Sequence, residues 1–298
     1  MYSIAAASRL SGVHPETLRA WERRYDIVCP RRDSRGCRVY ASEDVERLKL
    51  LRQATDLGHP IGRLADLDLE GLRQVAEQAA HEPGHSGEIR RMVCRIVDAV
   101  ERYRPDECNQ ELGLAATLLE PDCFTDKVIA PALEAVSERA RLGEMSVAQE
   151  HVLNCCIRCA VLALLGAYQS RATGPTMILA TLPGEKHELG VLITAMLAAA
   201  DGMDCVYLGP DIPPEDLVVA AIRTKARCVA LSCTLEQPPA GLQETLVGLA
   251  RALPQGCELW MGGKAAAQLD VQGLPPTCIC VSNLRDFKRC SSALKDSP

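Results

Sequence analysis

The sequence predicts a multidomain protein: an all-α winged helix-turn-helix, then a four-helix bundle, then a doubly wound α/β domain on a parallel sheet. Three observations carry that reading. Residues 1–75 show short helical periods around an arginine-rich loop. From Glu88 to about Gln169 the apolar pattern is helical nearly throughout. After Gly174-Pro175 short apolar runs alternate with helix-length segments. Residues 76–87 (AEQAAHEPGHSG) mix Pro, Gly, His and Ser without an apolar period and read as a linker. The expected domains are therefore 1–75, 88–172 and 173–298.

The bulk numbers narrow the function. A net charge of −6 excludes a protein that coats nucleic acid along its whole length. Yet between Arg19 and Arg38 seven arginines (19, 23, 24, 31, 32, 35 and 38) face only Glu22, Asp26 and Asp33. That local excess reads as an anion-binding face. Met1 runs directly into a helical pattern, without a basic-then-apolar leader. The apolar stretch near Val161–Ala167 is too short to span a bilayer. The fifteen cysteines are scattered and odd in number, as expected of reduced thiols in a cytoplasm. With aromatics at 3 %, the cores must be built from Leu, Ala, Val and Ile.

In the first region SIAAASRLSGVHPETLRAWERRY reads as two helices joined by a tight turn. Ser3 suits an N-cap, Gly12 a helix end and Pro15 a first helical turn. Leu18 and Trp21 supply buried positions, and Thr17, Arg19, Arg23 and Arg24 point outward. PRRDSRGCRVY then places turn residues between two strands, a basic wing with Arg31, Arg32, Arg38 and Tyr40. Ser42-Glu43-Asp44 opens a further helix, DVERLKLL. TLRAWERRY, the wing and DVERLKLL together resemble the winged helix of MerR-type regulators, over residues 1 to about 72. The resemblance implies that the second helix enters the major groove of double-stranded promoter DNA and that the wing grips its backbone. A solvated helix with incidental arginines is the bland alternative.

In the second region Ile89, Met92, Val93, Ile96, Val97 and Val100 form one stripe at helical spacing. Pro121 fits a helix start, and Pro131 sits awkwardly in the segment that follows. In the third, strands are expected at 177–182, 205–209, 228–233, 259–263 and 278–282, with helices at Glu188–Ala200, Pro214–Thr224 and Ala240–Leu253.

A doubly wound sheet binds ligands outside the carboxyl ends of its strands. Three unusual loops belong there. PGEKHELG carries Glu185, His187 and Gly190; Ser232-Cys233-Thr234 follows the third strand; Gly262-Gly263 follows the fourth. An imidazole on a mobile loop can ligate a metal while a carboxylate two residues earlier fixes its tautomer. Ser232 and Thr234 offer hydroxyls, and the paired glycines leave room for a bulky group. The pattern resembles the cobalamin-binding fold of methionine-synthase type, Asp-x-His-x-x-Gly, Ser-x-Leu and Gly-Gly. Here it reads Glu185-x-His187-x-x-Gly190, 41 residues, Ser232-x-Thr234, 27 residues, Gly262-Gly263. Glu replaces Asp and Thr replaces Leu. The resemblance implies that His187 is the lower axial ligand of cobalt and displaces the cofactor's own base into the sheet.

The light-sensing CarH-like branch has a bundle with Trp, nine residues and Glu-His over the upper face of the cofactor. This chain has Glu150-His151, with Ala140 at the Trp position. The resemblance makes Glu150 and His151 cofactor residues and His151 a candidate upper ligand. Adjacent helical residues diverge by about 100°, so the two cannot aim at one atom from an unadjusted turn. Ala140 leaves open whether the cofactor is adenosylcobalamin or another upper-ligand form. The branch also implies a homo-oligomer, dimer or tetramer, that light disperses.

His151, Cys155 and Cys159 recur every four residues beside Cys156, a spacing that thiolate and imidazole metal sites use. No second Cys-x-x-Cys frames them, so core packing is the preferred reading. The leading function is a cobalamin-controlled DNA-binding regulator, not an enzyme. A corrinoid methyl carrier and a thiol- or metal-sensing regulator are the alternatives.

Overall fold

The computed structural model describes every residue except 34–35, 57–60, 82–84, 236–240, 271–272 and 297–298. Arg35 of the wing, the middle of the expected linker and Ala240 therefore lie outside the described residues. The chain divides into two compact units, Met1–Ile157 and Arg158–Pro298.

The first unit begins with β1 (Tyr2–Ser3), α1 (Ile4–Ser11) and α2 (Pro15–Tyr25). Ser3 Oγ accepts from the Ala6 amide at 3.3 Å, and Gly12 closes α1 at φ 76°. The His14 ring caps α2, whose first residue is Pro15. β2 (Arg31–Arg32) and β3 (Arg38–Tyr40) form the wing. The sequence did not announce β1, which joins them antiparallel in the order β1-β3-β2. Behind the sheet lie α3 (Ser42–Asp56), α4 (Ile61–Leu64) and α5 (Leu69–His81). Leu18, Trp21, Tyr40, Leu48, Leu51, Leu64 and Leu72 close one core.

Arg47 on α3 holds this headpiece from within. Its guanidinium donates to the carbonyls of Ile27, Ala65 and Leu67, each at 2.7 Å. A planar fork suits three acceptors in different directions, and an ammonium does not. Arg47→Ala is expected to destabilise the headpiece by about 3 kcal/mol, because it strands carbonyls that a charged donor had satisfied. Arg47→Lys should recover little of that. Urea unfolding followed by far-ultraviolet dichroism checks both.

The expected linker is largely helical. α5 runs to His81, since AEQAA is a run of good helix formers, and α6 (His85–Glu101) resumes after the Pro-Gly pair. The bundle continues with α7 (Pro105–Leu118), α8 (Pro121–Phe124), α9 (Ala130–Arg141) and α10 (Val147–Gln169). Between α8 and α9 a π turn spans Thr125–Ile129, with the Ala130 amide donating to the Thr125 carbonyl. This wider turn lets the helix pass Pro131, which has no N–H and would collide with a regular preceding turn. Ile96, Leu112, Phe124, Val128, Val136, Leu153 and Ile157 are buried. By length and composition α10 could cross a membrane, unlike the seven-residue run that stands out in the sequence. Its buried residues Leu153, Cys156, Ile157, Val161 and Leu165 keep helical spacing, the stripe of a bundle helix.

The second unit is a five-stranded parallel sheet. Its strands are β4 (Thr176–Ala180), β5 (Asp204–Gly209), β6 (Cys228–Ser232), β7 (Glu258–Gly262) and β8 (Cys278–Val281). The order is β5-β4-β6-β7-β8, so the winding reverses at β4. A ligand crevice belongs outside the carboxyl ends of β4 and β6. α11 (Leu189–Ala200), α12 (Pro214–Thr224), α13 (Leu242–Ala252) and α14 (Leu284–Asp296) are the helices between and after the strands. Ile178, Ala180, Val229, Leu231, Leu259 and Met261 pack with Leu217, Leu246 and Leu249 of α12 and α13. α11 buries residues almost all round, including Val191, Leu192, Ala195 and Met196.

Candidate functional site

The headpiece presents an arginine face. Arg19, Arg23, Arg24, Arg31, Arg32 and Arg38 are exposed, and Thr17 is half-buried on α2. Several are already oriented. Arg19 pairs with Glu16 at 2.6 Å, and Arg32 donates to the Gly36 carbonyl at 2.9 Å across the wing turn. Arg38 donates to Glu22 at 3.0 Å. Tyr40 corrects the sequence reading. It is fully buried, and its hydroxyl donates to the other oxygen of Glu22, so the ring is core and not a DNA contact. Burial, then the Glu22 carboxylate, pushes its pKa up. Glu22 thereby ties the wing to α2.

Arg24 turns toward Glu144, 3.9 Å away in the turn between α9 and α10, and Glu144 also meets Arg139 at 3.6 Å. Burial holds the Glu144 carboxyl above its usual range, and Arg139 and Arg24 act against that. One arginine of the recognition helix is therefore engaged by the bundle.

At the switch point of the sheet, Glu185 is the organising group. It is 2 % exposed, and all its neighbours donate. One oxygen accepts from the His187 amide at 2.8 Å and from His187 Nδ1 at 2.7 Å. The other accepts from the amides of Thr234 at 2.6 Å and Leu235 at 3.2 Å, and from Thr234 Oγ1 at 3.2 Å. Burial acts to raise its pKa, but the donated bonds outweigh it and hold the carboxyl below its usual range. The two departures from the cobalamin pattern thus touch each other. The extra methylene of Glu185 lets one carboxylate serve both its own loop and the Thr234 loop.

The loop is anchored, not mobile as the sequence suggests. Thr181 Oγ1 donates to the Glu185 carbonyl at 2.5 Å, and the Gly184 amide donates to Asp211 at 2.8 Å. The His187 side chain stands 72 % exposed at the rim. With Nδ1–H committed to a carboxylate, Nε2 keeps its lone pair for a metal.

The glycines do different work. Gly263 has φ 90° and ψ 177°, and a Cβ there would sit 2.2 Å from the Cys233 carbonyl oxygen. Gly262 has ordinary backbone and room for a methyl, with Val281 O nearest at 3.6 Å. It pairs in register with Ser232, and a Cβ on Gly190 would lie 3.6 Å from Ser232 Oγ. Gly190, Ser232 and Gly262 therefore bring three small residues together beside the β6 end. The donor set fits a corrinoid: one oriented imidazole, a hydroxyl, and small residues beside them where even a Cβ meets only ordinary contacts.

Glu150 is half-buried and His151 exposed, both in the first turns of α10; Ala140 is half-buried on α9. The preferred core reading of the neighbouring cysteines is corrected. Cys155 and Cys159 are exposed, because the stripe that packs inward is one residue out of phase with theirs; only Cys156 is buried. Among the described residues no three His, Cys, Asp or Glu side chains gather to hold a metal. Cys156 shares a hydrogen bond with buried Cys108, which together with burial pushes the Cys108 thiol up, away from reactivity.

Thr181, Asp211, Glu188 and Tyr207 also shape the rim, and no motif singles them out. Their proximity follows from strand order, which a linear pattern does not display. A polar residue just beyond a strand end is the only available signal.

The chain resembles known proteins in both its headpiece and its sheet domain. Residues 2–69 match the MerR HTH family regulatory protein family, and residues 175–272 match the B12 binding domain. The chain is 36 % identical to the HTH-type transcriptional repressor CarH of Myxococcus xanthus over 271 residues, 89 % of each chain. It is 28 % identical to the repressor CarA of the same organism, covering 84 % of this chain and 82 % of that one. The monomethylamine corrinoid protein of Methanosarcina barkeri shares the fold, with TM-score 0.54 at 16 % identity over 66 % of this chain and 96 % of that one. A DNA-binding headpiece and a B12-binding sheet on one chain define a ligand-binding transcriptional regulator. The chain belongs to the MerR-type regulators with a B12-binding domain, the family that includes CarH and CarA.

Proposed function

We propose that this protein is a cytoplasmic transcriptional repressor, not an enzyme, that binds promoter DNA as a homo-oligomer under the control of cobalamin. The observation that carries the reading is the His187 imidazole, exposed at the switch point with Nδ1 held by buried Glu185. His187 would hold cobalt through Nε2, and Glu185 would fix the tautomer that leaves that nitrogen its lone pair. Gly190, Ser232, Gly262 and Gly263 shape the slot for the displaced base, and Thr234 holds Glu185. Glu150 and His151 of α10 serve the upper face, where Ala140 leaves more room than the usual indole. Bound adenosylcobalamin supplies a cobalt–carbon bond that light breaks.

On DNA, Thr17, Arg19 and Arg23 serve the groove, with Arg24 joining them once it leaves Glu144, and Arg31, Arg32 and Arg38 serve the phosphates. Linking several headpieces raises their effective concentration at a repeated operator, so assembly state sets affinity. The headpiece distinguishes this reading from a methyl carrier, for which residues 1–75 would have no use. The thiols stay reduced in that compartment.

The test is size-exclusion chromatography and promoter binding with adenosylcobalamin, in the dark and after green light. A retained corrinoid, a light-dependent fall in size and a parallel loss of DNA binding are expected. Retention without a light effect would leave a cobalamin-controlled repressor that does not sense light. Failure to retain any corrinoid would overturn the cofactor reading.

A further inference from the structure

Glu188 follows His187 directly and opens α11, a position where a carboxylate usually caps the helix. It makes no side-chain cap bond. One oxygen instead accepts from the Tyr207 hydroxyl at 2.6 Å, and the other meets an Arg158 guanidinium nitrogen at 2.8 Å. The Glu188 side chain is only 13 % exposed; Arg158 reaches it from a half-exposed position, so the Tyr207 hydroxyl is the more sheltered of the two partners. Tyr207 belongs to β5, next to β4 on the side away from β6. Arg158 belongs to α10.

Beyond its hold at Gly184, the ligand loop is therefore pinned on both sides of His187. Glu185 fastens it toward the β6 loop, and Glu188 fastens it toward β5 and α10. His187 lies between them. The bonds at Gly184 and Glu185 hold the loop from the side that precedes His187, and Glu188 adds a hold on the side that follows it.

We propose that Glu188 is a positioning residue for His187, holding its backbone through Tyr207 and Arg158 so that Nε2 meets cobalt in one geometry. The proposal rests on His187 being the axial ligand. Within the second unit it also ties the ligand loop to Arg158, the first residue of that unit.

The test uses the full chain loaded with cob(II)alamin and read by electron paramagnetic resonance. Coordinated nitrogen splits the cobalt lines, and isotope-labelled histidine shows whether that nitrogen comes from the protein. The wild type should show a histidine nitrogen and His187→Ala should lose it. Identical spectra for those two would overturn the axial assignment itself. Glu188→Ala should retain corrinoid but hold the imidazole on cobalt about ten-fold less well, the scale seen when a ligand's supporting partner is removed. Glu188→Gln, which can still accept from Tyr207, should recover much of the signal. The double variant Arg158→Ala/Tyr207→Phe leaves the loop sequence intact and should reproduce the loss even if Glu188→Ala folds poorly. A wild-type histidine signal in that double variant would overturn the positioning role while leaving the axial assignment standing.

Discussion

Gly263→Ala is expected to unfold the rim of the corrinoid domain, whereas the same change at Gly262 leaves it folded. At Gly263 the backbone lies in a region open essentially to glycine alone, and the new methyl would overlap the Cys233 carbonyl oxygen, 2.2 Å away. Neither atom can yield cheaply. Cys233 is held by its amide bond to the Gly262 carbonyl at 3.0 Å and by the Ala265 amide on its own carbonyl at 3.1 Å. The expected cost is about 3 kcal/mol or more, from backbone strain with a backbone overlap added. At Gly262 a methyl meets only ordinary contacts. Its thermal unfolding should match the wild type within about 1 kcal/mol, while corrinoid retention falls because the methyl occupies the slot beside Ser232. Calorimetric melting of both variants, with gel filtration in the presence of hydroxocobalamin, checks the contrast. Equal melting curves would remove the steric distinction between the two glycines.

Glu185→Gln is expected to be nearly as damaging as Glu185→Ala, despite matching the native shape. Every group around the native carboxylate is a donor. An amide would bring one donor of its own against them and leave at least one buried N–H without an acceptor. Each variant should lose about 3 kcal/mol from the second unit, the scale for leaving buried donors that a charged acceptor had satisfied. Acidity adds an independent check. The folded carboxyl is held below its ordinary value of 4.5. Its stabilisation is thus fully present above about pH 4.5 and lost as pH falls through the lower folded value. Ligand-free wild type should lose stability through that acid range, and the contribution should be missing from Glu185→Gln. Urea midpoints between pH 3 and 6 measure it. Parallel curves for the two proteins would show that Glu185 contributes no charge-dependent stability.

Much of this architecture is legible in the sequence because each signal is local. Ser3, Gly12 and Pro15 mark helix ends by their own backbone chemistry, and the structure uses all three in that way. The five strands lie within a residue or two of the apolar runs, because buried parallel strands are nearly continuous in Val, Ile and Leu. What stays hidden depends on contacts distant along the chain. Tyr40 looks like a DNA contact on the wing until Glu22, eighteen positions earlier, takes its hydroxyl. Cys155 and Cys159 share a face by spacing, but spacing does not say whether that face packs inward. The Glu185 and Thr234 exchanges look like two separate losses from a pattern, and only the fold shows them bonded to each other. Residues 76–81 read as linker because the Pro, Gly and His that follow dominate the window, yet their own composition favours helix.

The Glu185 cradle is built from the chain's own hydrogen bonds, and a cradle of that kind has a kinetic consequence. Ordering entropy for the ligand loop is lost once, on folding, rather than at each binding event. Cofactor capture then proceeds as docking into a finished seat, with a heat-capacity change set by the surface covered and not by loop folding. In such a system variants differ chiefly in departure rate rather than arrival rate. A regulator with a slow departure keeps a record: its state reflects what it last captured, and outlasts the moment when the cofactor became scarce.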